Sequence, residues 1–122
     1  MATILLVVAA FIAFGGAIFH GYSGSKIYMD NDRGRNLSPR TQSLSLVSWQ
    51  MFTVFLLVSG ATLLMVAVSP ELALMSYPIL LGNGMGSVIF LWLSLTGQVG
   101  LIKLPGMYMM FSTAVLGSVG LP

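Results

Sequence analysis

His20 is the residue whose type and position best suit chemistry. It is the single histidine of the chain and ends the first apolar run, while Trp49 and Gln50 open the second run. If both runs are membrane helices joined by one loop, these three residues lie at similar depth, with Tyr22 and Trp49 in an interfacial aromatic belt. His20 could bind a cofactor axially or titrate near neutral pH. We favour the plainer interpretation, a hydrogen bond to a neighbour or to lipid headgroups.

Metal chemistry has little support in the sequence. The chain has no cysteine, and its one histidine does not make a zinc site. Nine methionines could offer thioethers to Cu(I), but methionine also fills gaps between helices. Asp30 and Asp32 resemble the start of a calcium loop, yet Arg35 stands where that loop needs glycine. We therefore predict no metal site.

Asn83 is a polar residue inside an apolar run. Its neighbours form the sequence Gly82-Asn83-Gly84-Met85-Gly86, which lacks the spacing of a nucleotide-binding loop and follows no strand. We expect Asn83 to hydrogen-bond across helices, a contact worth about 0.5 to 2 kcal/mol. A place on a transport pathway is the alternative.

The composition is that of a membrane protein. Of the 122 residues, 57% are hydrophobic and 7% charged, against about 25% charged in soluble domains. The acidic residues Asp30, Asp32 and Glu71 all lie between apolar runs. An ion-coupled transporter usually keeps an acid or base on its pathway, which argues against that function here. A proton-coupled exporter of the small multidrug-resistance type needs a glutamate in its first helix, and the first apolar run has none. A net charge of +2 without a basic face argues against a nucleic-acid partner.

Four apolar runs are long enough to be considered as membrane spans, since about 20 helical residues cross the hydrocarbon core. We predict one all-α domain over residues 1–122, a bundle of four transmembrane helices at about 3–22, 44–68, 78–96 and 105–119. Ser43 or Ser45 would cap the second helix, and Pro78 suits the first turn of the third. The fourth is the shortest and could be tilted or partly re-entrant. No basic residue precedes the first run, so we interpret it as a membrane helix rather than a signal peptide.

The basic residues predict the orientation. Four of them lie in the loop 23–43, and Lys103 lies in the turn 97–104. With four spans, both segments are on one side, which the positive-inside rule makes cytoplasmic. Both termini and Glu71 are then expected outside.

Small residues recur four apart on three of the predicted helices. Such rows let helix backbones approach closely. We expect them to pack helices within the chain, with a seam between molecules as the alternative. The rows are Ala9, Ala13 and Ala17 on the first helix, Gly82 and Gly86 on the third, and Ala114 and Ser118 on the fourth.

The segment His20-Gly21-Tyr22-Ser23-Gly24, together with Trp49-Gln50, is similar to a group of uncharacterised four-helix bacterial inner-membrane proteins. In that group the first helix ends in histidine and a turn with tyrosine and glycine, and the second opens with Trp-His. Gln50 stands here in place of the second histidine, which argues against a bis-histidine haem. The resemblance covers about a third of the chain and implies a bacterial inner-membrane location.

These observations favour a non-catalytic accessory or structural subunit of a larger membrane complex, of the kind that energy-converting complexes contain. The alternative is a small oligomeric channel or transporter for a neutral or lipid-like substrate, with Asn83, Thr62 and Ser94 on its pathway. An enzyme acting on quinone or lipid at His20 ranks third. The expected partners are membrane lipids, other membrane subunits or further copies of the chain. Bound lipid, quinone or pigment would leave no motif among apolar helices, so the sequence names no cofactor.

Overall fold

The fold is an all-α bundle, seen in a computed structural model that describes residues 1–29 and 37–122. No strand occurs within these two ranges. Shorter helical segments continue or join the four α-helices: a π-helix at Phe19–Met29 and 3₁₀ turns at Pro70–Met75 and Val99–Lys103. The α-helices are α1 (Ala2–Ile18), α2 (Pro39–Val68), α3 (Ser76–Leu95) and α4 (Pro105–Gly120).

Three helical segments of the described chain are long and apolar enough to cross a membrane, as expected of an integral membrane protein. They are α1 with most of its π-helical extension, α2, and α3 with the 3₁₀ turn before it. The fourth helix, α4, has 16 residues, which at 1.5 Å per residue gives roughly 24 Å. It is therefore shorter than a hydrocarbon core of about 30 Å.

The first two helices begin and end differently from the prediction. The π-helix extends the first helix to Met29, and α2 begins at Pro39, so most of the described residues of the predicted loop 23–43 are helical. Neither Ser43 nor Ser45 caps α2. Ser38 does, since its hydroxyl oxygen accepts a hydrogen bond from the Thr41 backbone N–H at 3.3 Å and Pro39 occupies the first turn.

The turns at the other helix ends follow from local residue chemistry. Pro78 lies in the first turn of α3, and Pro105 opens α4, where its missing N–H removes no helical hydrogen bond. After α3 the chain reverses at Gly97, whose φ of +123° is a conformation that side chains disfavour. The 3₁₀ turn Val99–Lys103 then leads into α4.

The four helices form a ring in chain order. α1 packs extensively on α2 and α4, and α4 on α3, whereas α2 and α3 touch each other least among the neighbouring pairs. The main buried cluster joins Leu6 of α1, Leu63 of α2 and Leu80 of α3, with Leu72 and Leu121 packed on it. The core therefore lies at the end of the bundle that holds the termini and the α2–α3 turn.

Most of the predicted small-residue rows pack helices within the chain. Ala9, Ala13 and Ala17 are all buried. A side chain at Gly82 would meet the Phe55 ring of α2 at 2.9 Å, and one at Gly86 would collide with Met110 of α4. The row on α4 is different, because Ser118 is exposed and Ala114 partly exposed.

The described basic residues lie at the end opposite the core. Lys26 is on the π-helix, Arg40 opens α2, and Lys103 closes the turn before α4, three segments that converge there. Glu71 lies at the other end, in the turn that packs beside the core. Arg33 and Arg35, like the calcium-loop interpretation of Asp30 and Asp32, lie outside the described residues.

Candidate functional site

His20 lies in a cluster of aromatic rings where the π-helix crosses α2. Its imidazole stacks on the Trp49 ring with the centroids 4.0 Å apart and the planes 11° from parallel. Phe52 meets the imidazole edge-on at 4.9 Å. The imidazole Nδ1 is 3.0 Å from the hydroxyl oxygen of Thr53, and this hydrogen bond fits either tautomer. Rings on two sides and one hydrogen bond fix the orientation of the imidazole.

The residues of α2 that contact the His20 side chain also contact the backbone around it. The Trp49 indole N–H donates to the carbonyl oxygen of His20 at 2.9 Å. A Cβ at Gly21 would lie 2.8 Å from the Thr53 methyl carbon, and one at Gly24 would lie 2.8 Å from Trp49 Cζ2. The glycines therefore let the π-helix approach α2 closely enough for His20 to reach both partners. π-helical turns are rare in proteins, and those that occur often lie at functional sites.

Gln50 does not share the site of His20 and Trp49. Its side-chain amide N–H donates to the hydroxyl oxygen of Ser25 at 3.2 Å, further along the π-helix. Tyr22 is exposed near Lys26, whose ammonium group donates to the Tyr22 hydroxyl at 2.8 Å and lies 4.1 Å from the centroid of its ring. The hydrogen bond of Gln50 joins α2 to the π-helix, whereas the Tyr22–Lys26 contact lies within the π-helix.

An apolar cavity of about 210 Å³ lies inside the bundle beside His20. All four α-helices and the turn before α4 contribute to its wall. Apart from His20, Trp49 and Thr113, the described lining residues are aliphatic, aromatic, glycine or methionine, and Gly16 and Gly106 leave room that side chains would fill. The bundle is therefore tightly packed at the end with the termini and contains a cavity at the end with His20.

A shallow groove runs along the outside of α2 next to this cavity. Its α2 wall includes Thr41, Ser45 and Ser48. Four aromatic residues line both the groove and the cavity: His20, Trp49, Phe52 and Phe90. The two spaces therefore adjoin at these side chains, on the side of the bundle where α2 and α3 touch least.

Asn83 is completely buried and bridges α3 to α2. Its side-chain N–H₂ donates to the Ser59 hydroxyl oxygen at 3.0 Å and to the Ile79 carbonyl oxygen at 2.9 Å. Ser59 in turn donates to the Phe55 carbonyl oxygen. The Asn83 amide oxygen has no hydrogen-bond partner among the described residues. The geometry is that of a helix-to-helix hydrogen bond.

A second, wider groove opens between α3 and α4 on the outer surface. It measures about 1060 Å³ and contains Gly84, Ala114 and Ser118, flanked by large apolar residues such as Leu81 and Phe111. A Cβ at Gly84 would lie 3.9 Å from that of Ala114, an ordinary van der Waals distance. The bottom of this groove, called the α3/α4 groove below, is therefore formed by short side chains.

Sequence reasoning identified His20 and Trp49 but missed Phe52, Thr53 and Phe90. The first two could have been found, since residues 49, 52 and 53 share one face of a helix. Phe90 lies on a distant helix, and no spacing in the sequence connects it with His20. Comparison with protein-family models, with curated proteins and with solved structures finds no match to this chain.

Proposed function

We propose that the chain is a non-catalytic accessory subunit of a larger membrane protein complex in the bacterial inner membrane. The observation that carries this proposal is the α3/α4 groove. Its floor of small residues suits a closely packed apolar helix from another subunit, because short side chains allow backbones to approach. Only 22% of the most apolar stretch of the α3 segment is buried within the chain, so most of its surface is free to contact lipid or another protein.

We further propose four membrane crossings, with α4 as a short fourth span. A span shorter than the hydrocarbon core is accommodated by local thinning of the bilayer. α4 supports this placement by packing against both α1 and α3. The basic end then faces the cytoplasm, and the termini and Glu71 face outward.

Purification of the full chain from its native membrane, in a mild detergent, tests the accessory role. The tagged chain is expected to retain at least one unrelated membrane subunit in constant stoichiometry by mass spectrometry. Ser118→Phe places a ring in the α3/α4 groove and should release that subunit. Ala61→Phe adds the same ring at an exposed position of α2 and should retain it.

Thermal melting of the two purified variants controls for folding, and both should match the unaltered chain. Recovery of a homo-oligomer without other subunits would overturn the accessory role. Equal retention of the partner by Ser118→Phe and Ala61→Phe would show that the α3/α4 groove is not its binding surface.

A further inference from the structure

We propose that the cavity at His20 binds the head group of a membrane quinone, meaning a planar carbonyl-bearing ring with a long apolar tail. This inference does not depend on the accessory role, because it concerns the hollow end of the bundle rather than its outer α3/α4 surface. Size, wall chemistry, hydrogen-bonding capacity and access each limit the ligand class.

The cavity volume suits a ligand of about one ring or two fused rings. An apolar cavity of about 150 Å³ is enough to hold benzene, so a cavity of about 210 Å³ can hold a substituted ring. A porphyrin-type macrocycle, with four pyrrole rings, is far larger than this space. The volume therefore favours a quinone head group over haem or chlorophyll.

The walls favour a flat and largely uncharged ligand. Stacked His20 and Trp49, with Phe52 and Phe90 beside them, present aromatic surfaces against which a ring can pack in offset or edge-on geometry. Among the described residues, the imidazole is the one ionisable group that lines the cavity. A charged ligand would lose its hydration without compensation there.

His20 offers one hydrogen bond to such a ring. Its Nδ1 is engaged by Thr53, whereas its Nε2 has no hydrogen-bond partner among the described residues. When the Thr53 hydroxyl donates to Nδ1, Nε2 carries the proton and can donate to a quinone carbonyl oxygen. In the other tautomer, Nε2 accepts from a quinol hydroxyl. The same nitrogen therefore serves both redox forms.

Access to the cavity lies beside α2. The groove with Thr41, Ser45 and Ser48 meets the cavity at the four aromatic rings that line both spaces. A quinone has a polar head and an apolar tail, so its head can pass a wall of hydroxyl groups and then enter an apolar space. Its tail would remain in the groove or in the surrounding lipid.

Quenching of Trp49 fluorescence tests the proposal directly. The chain contains two tryptophans, and Trp92→Phe removes the exposed one, which leaves Trp49 as the reporter. Decylubiquinone is titrated into this variant of the full chain in phosphatidylcholine nanodiscs. We expect saturable quenching, with His20→Phe weakening the apparent affinity about 3- to 10-fold because the ring remains and the hydrogen bond is lost.

A pair of glycine variants separates binding in the cavity from binding elsewhere. Gly106 lines the cavity, and a Cβ added there would lie 3.8 Å from the Phe90 ring. Gly106→Leu should therefore fill part of the cavity and weaken the affinity for decylubiquinone about tenfold or more. A Cβ added at Gly100 would meet no atom of the described residues within 4 Å beyond its chain neighbours, and Gly100→Leu should leave binding unchanged. Circular dichroism and thermal melting establish that each variant is folded.

Three results would overturn the proposal. One is quenching that rises linearly without saturation. Another is equal saturable quenching in Gly106→Leu and Gly100→Leu when both are folded. The third is displacement of decylubiquinone by 1-decanol at the same concentration, which would make the cavity a site for acyl chains rather than for a ring.

Discussion

At the scale of single residues, several hydrogen bonds between polar groups join neighbouring helices. Thr53 holds the His20 imidazole, the Trp49 indole holds the His20 carbonyl, and Asn83 holds Ser59. In a membrane such contacts stabilise association only moderately, by about 0.6 kcal/mol on average. Their larger effect here is to fix orientation, since each one sets how a ring or an amide faces its neighbours.

Asn83→Ala tests the bond between α2 and α3. The substitution removes the donor to Ser59, and we expect the free energy of unfolding in detergent to fall by about 0.5 to 2 kcal/mol. Thr96→Ala is the control, because among the described residues the exposed Thr96 hydroxyl donates only to backbone carbonyls of α3. An unchanged free energy for Asn83→Ala would mean that the bond contributes nothing to packing.

At the scale of elements, glycines set how closely neighbouring helices approach. Gly60 of α2 lies under the Phe14 ring of α1, where an added Cβ would be 2.9 Å from two ring carbons. Gly84 of α3 has only an ordinary contact, at 3.9 Å. Both residues lie in helix interiors, where alanine is favoured over glycine by roughly 0.5 to 1 kcal/mol when space permits.

A pair of glycine-to-alanine variants should therefore differ in their effect on stability. Gly60→Ala must displace a rigid ring, so we expect a loss of about 1 to 3 kcal/mol in the free energy of unfolding. Gly84→Ala should be neutral or stabilising by up to about 1 kcal/mol. Reversible denaturation of both variants in the same detergent measures the difference, and an equal effect of the two would contradict the packing described for α1 and α2.

Much of the element order could be predicted from the sequence, because apolar runs separated by proline, glycine and charged residues predict helices and turns directly. The helix ends were harder. Ser43, Ser45 and Ser38 are all of a residue type that suits an N-cap, but only Ser38 is followed by a proline, which favours the first helical position; the prediction missed this signal. The π-helical extension past Ile18 has no composition signal, since its polar and glycine residues are typical of a loop.

The site was only partly predictable for a related reason. His20 and Trp49 stand at the ends of consecutive helices, and a single loop between antiparallel helices brings such ends together. The cavity depends on α3 and α4, and the contributions of Phe90 and Gly106 follow from the ring arrangement of helices. That arrangement reflects glycine and alanine contacts between distant segments, which periodicity within one helix does not reveal.

At the scale of the whole molecule, the two ends of the bundle differ in packing and in charge. The end with the termini and Glu71 has the buried core, whereas the end with Lys26, Arg40 and Lys103 contains the His20 cavity. This asymmetry accords with an orientation that keeps basic residues in the cytoplasm. In the proposed orientation, the proposed quinone site would lie near the cytoplasmic headgroups.

Accessibility of single cysteines in sealed inverted and right-side-out vesicles measures this arrangement most directly, and the chain has no cysteine of its own. Leu37→Cys before α2 and Gln98→Cys after α3 should react with a membrane-impermeant maleimide from the cytoplasmic side. Glu71→Cys should react only from the opposite side. Labelling of positions 37 and 98 from different sides, or of position 71 from the same side as both, would contradict the four-span bundle with one basic end.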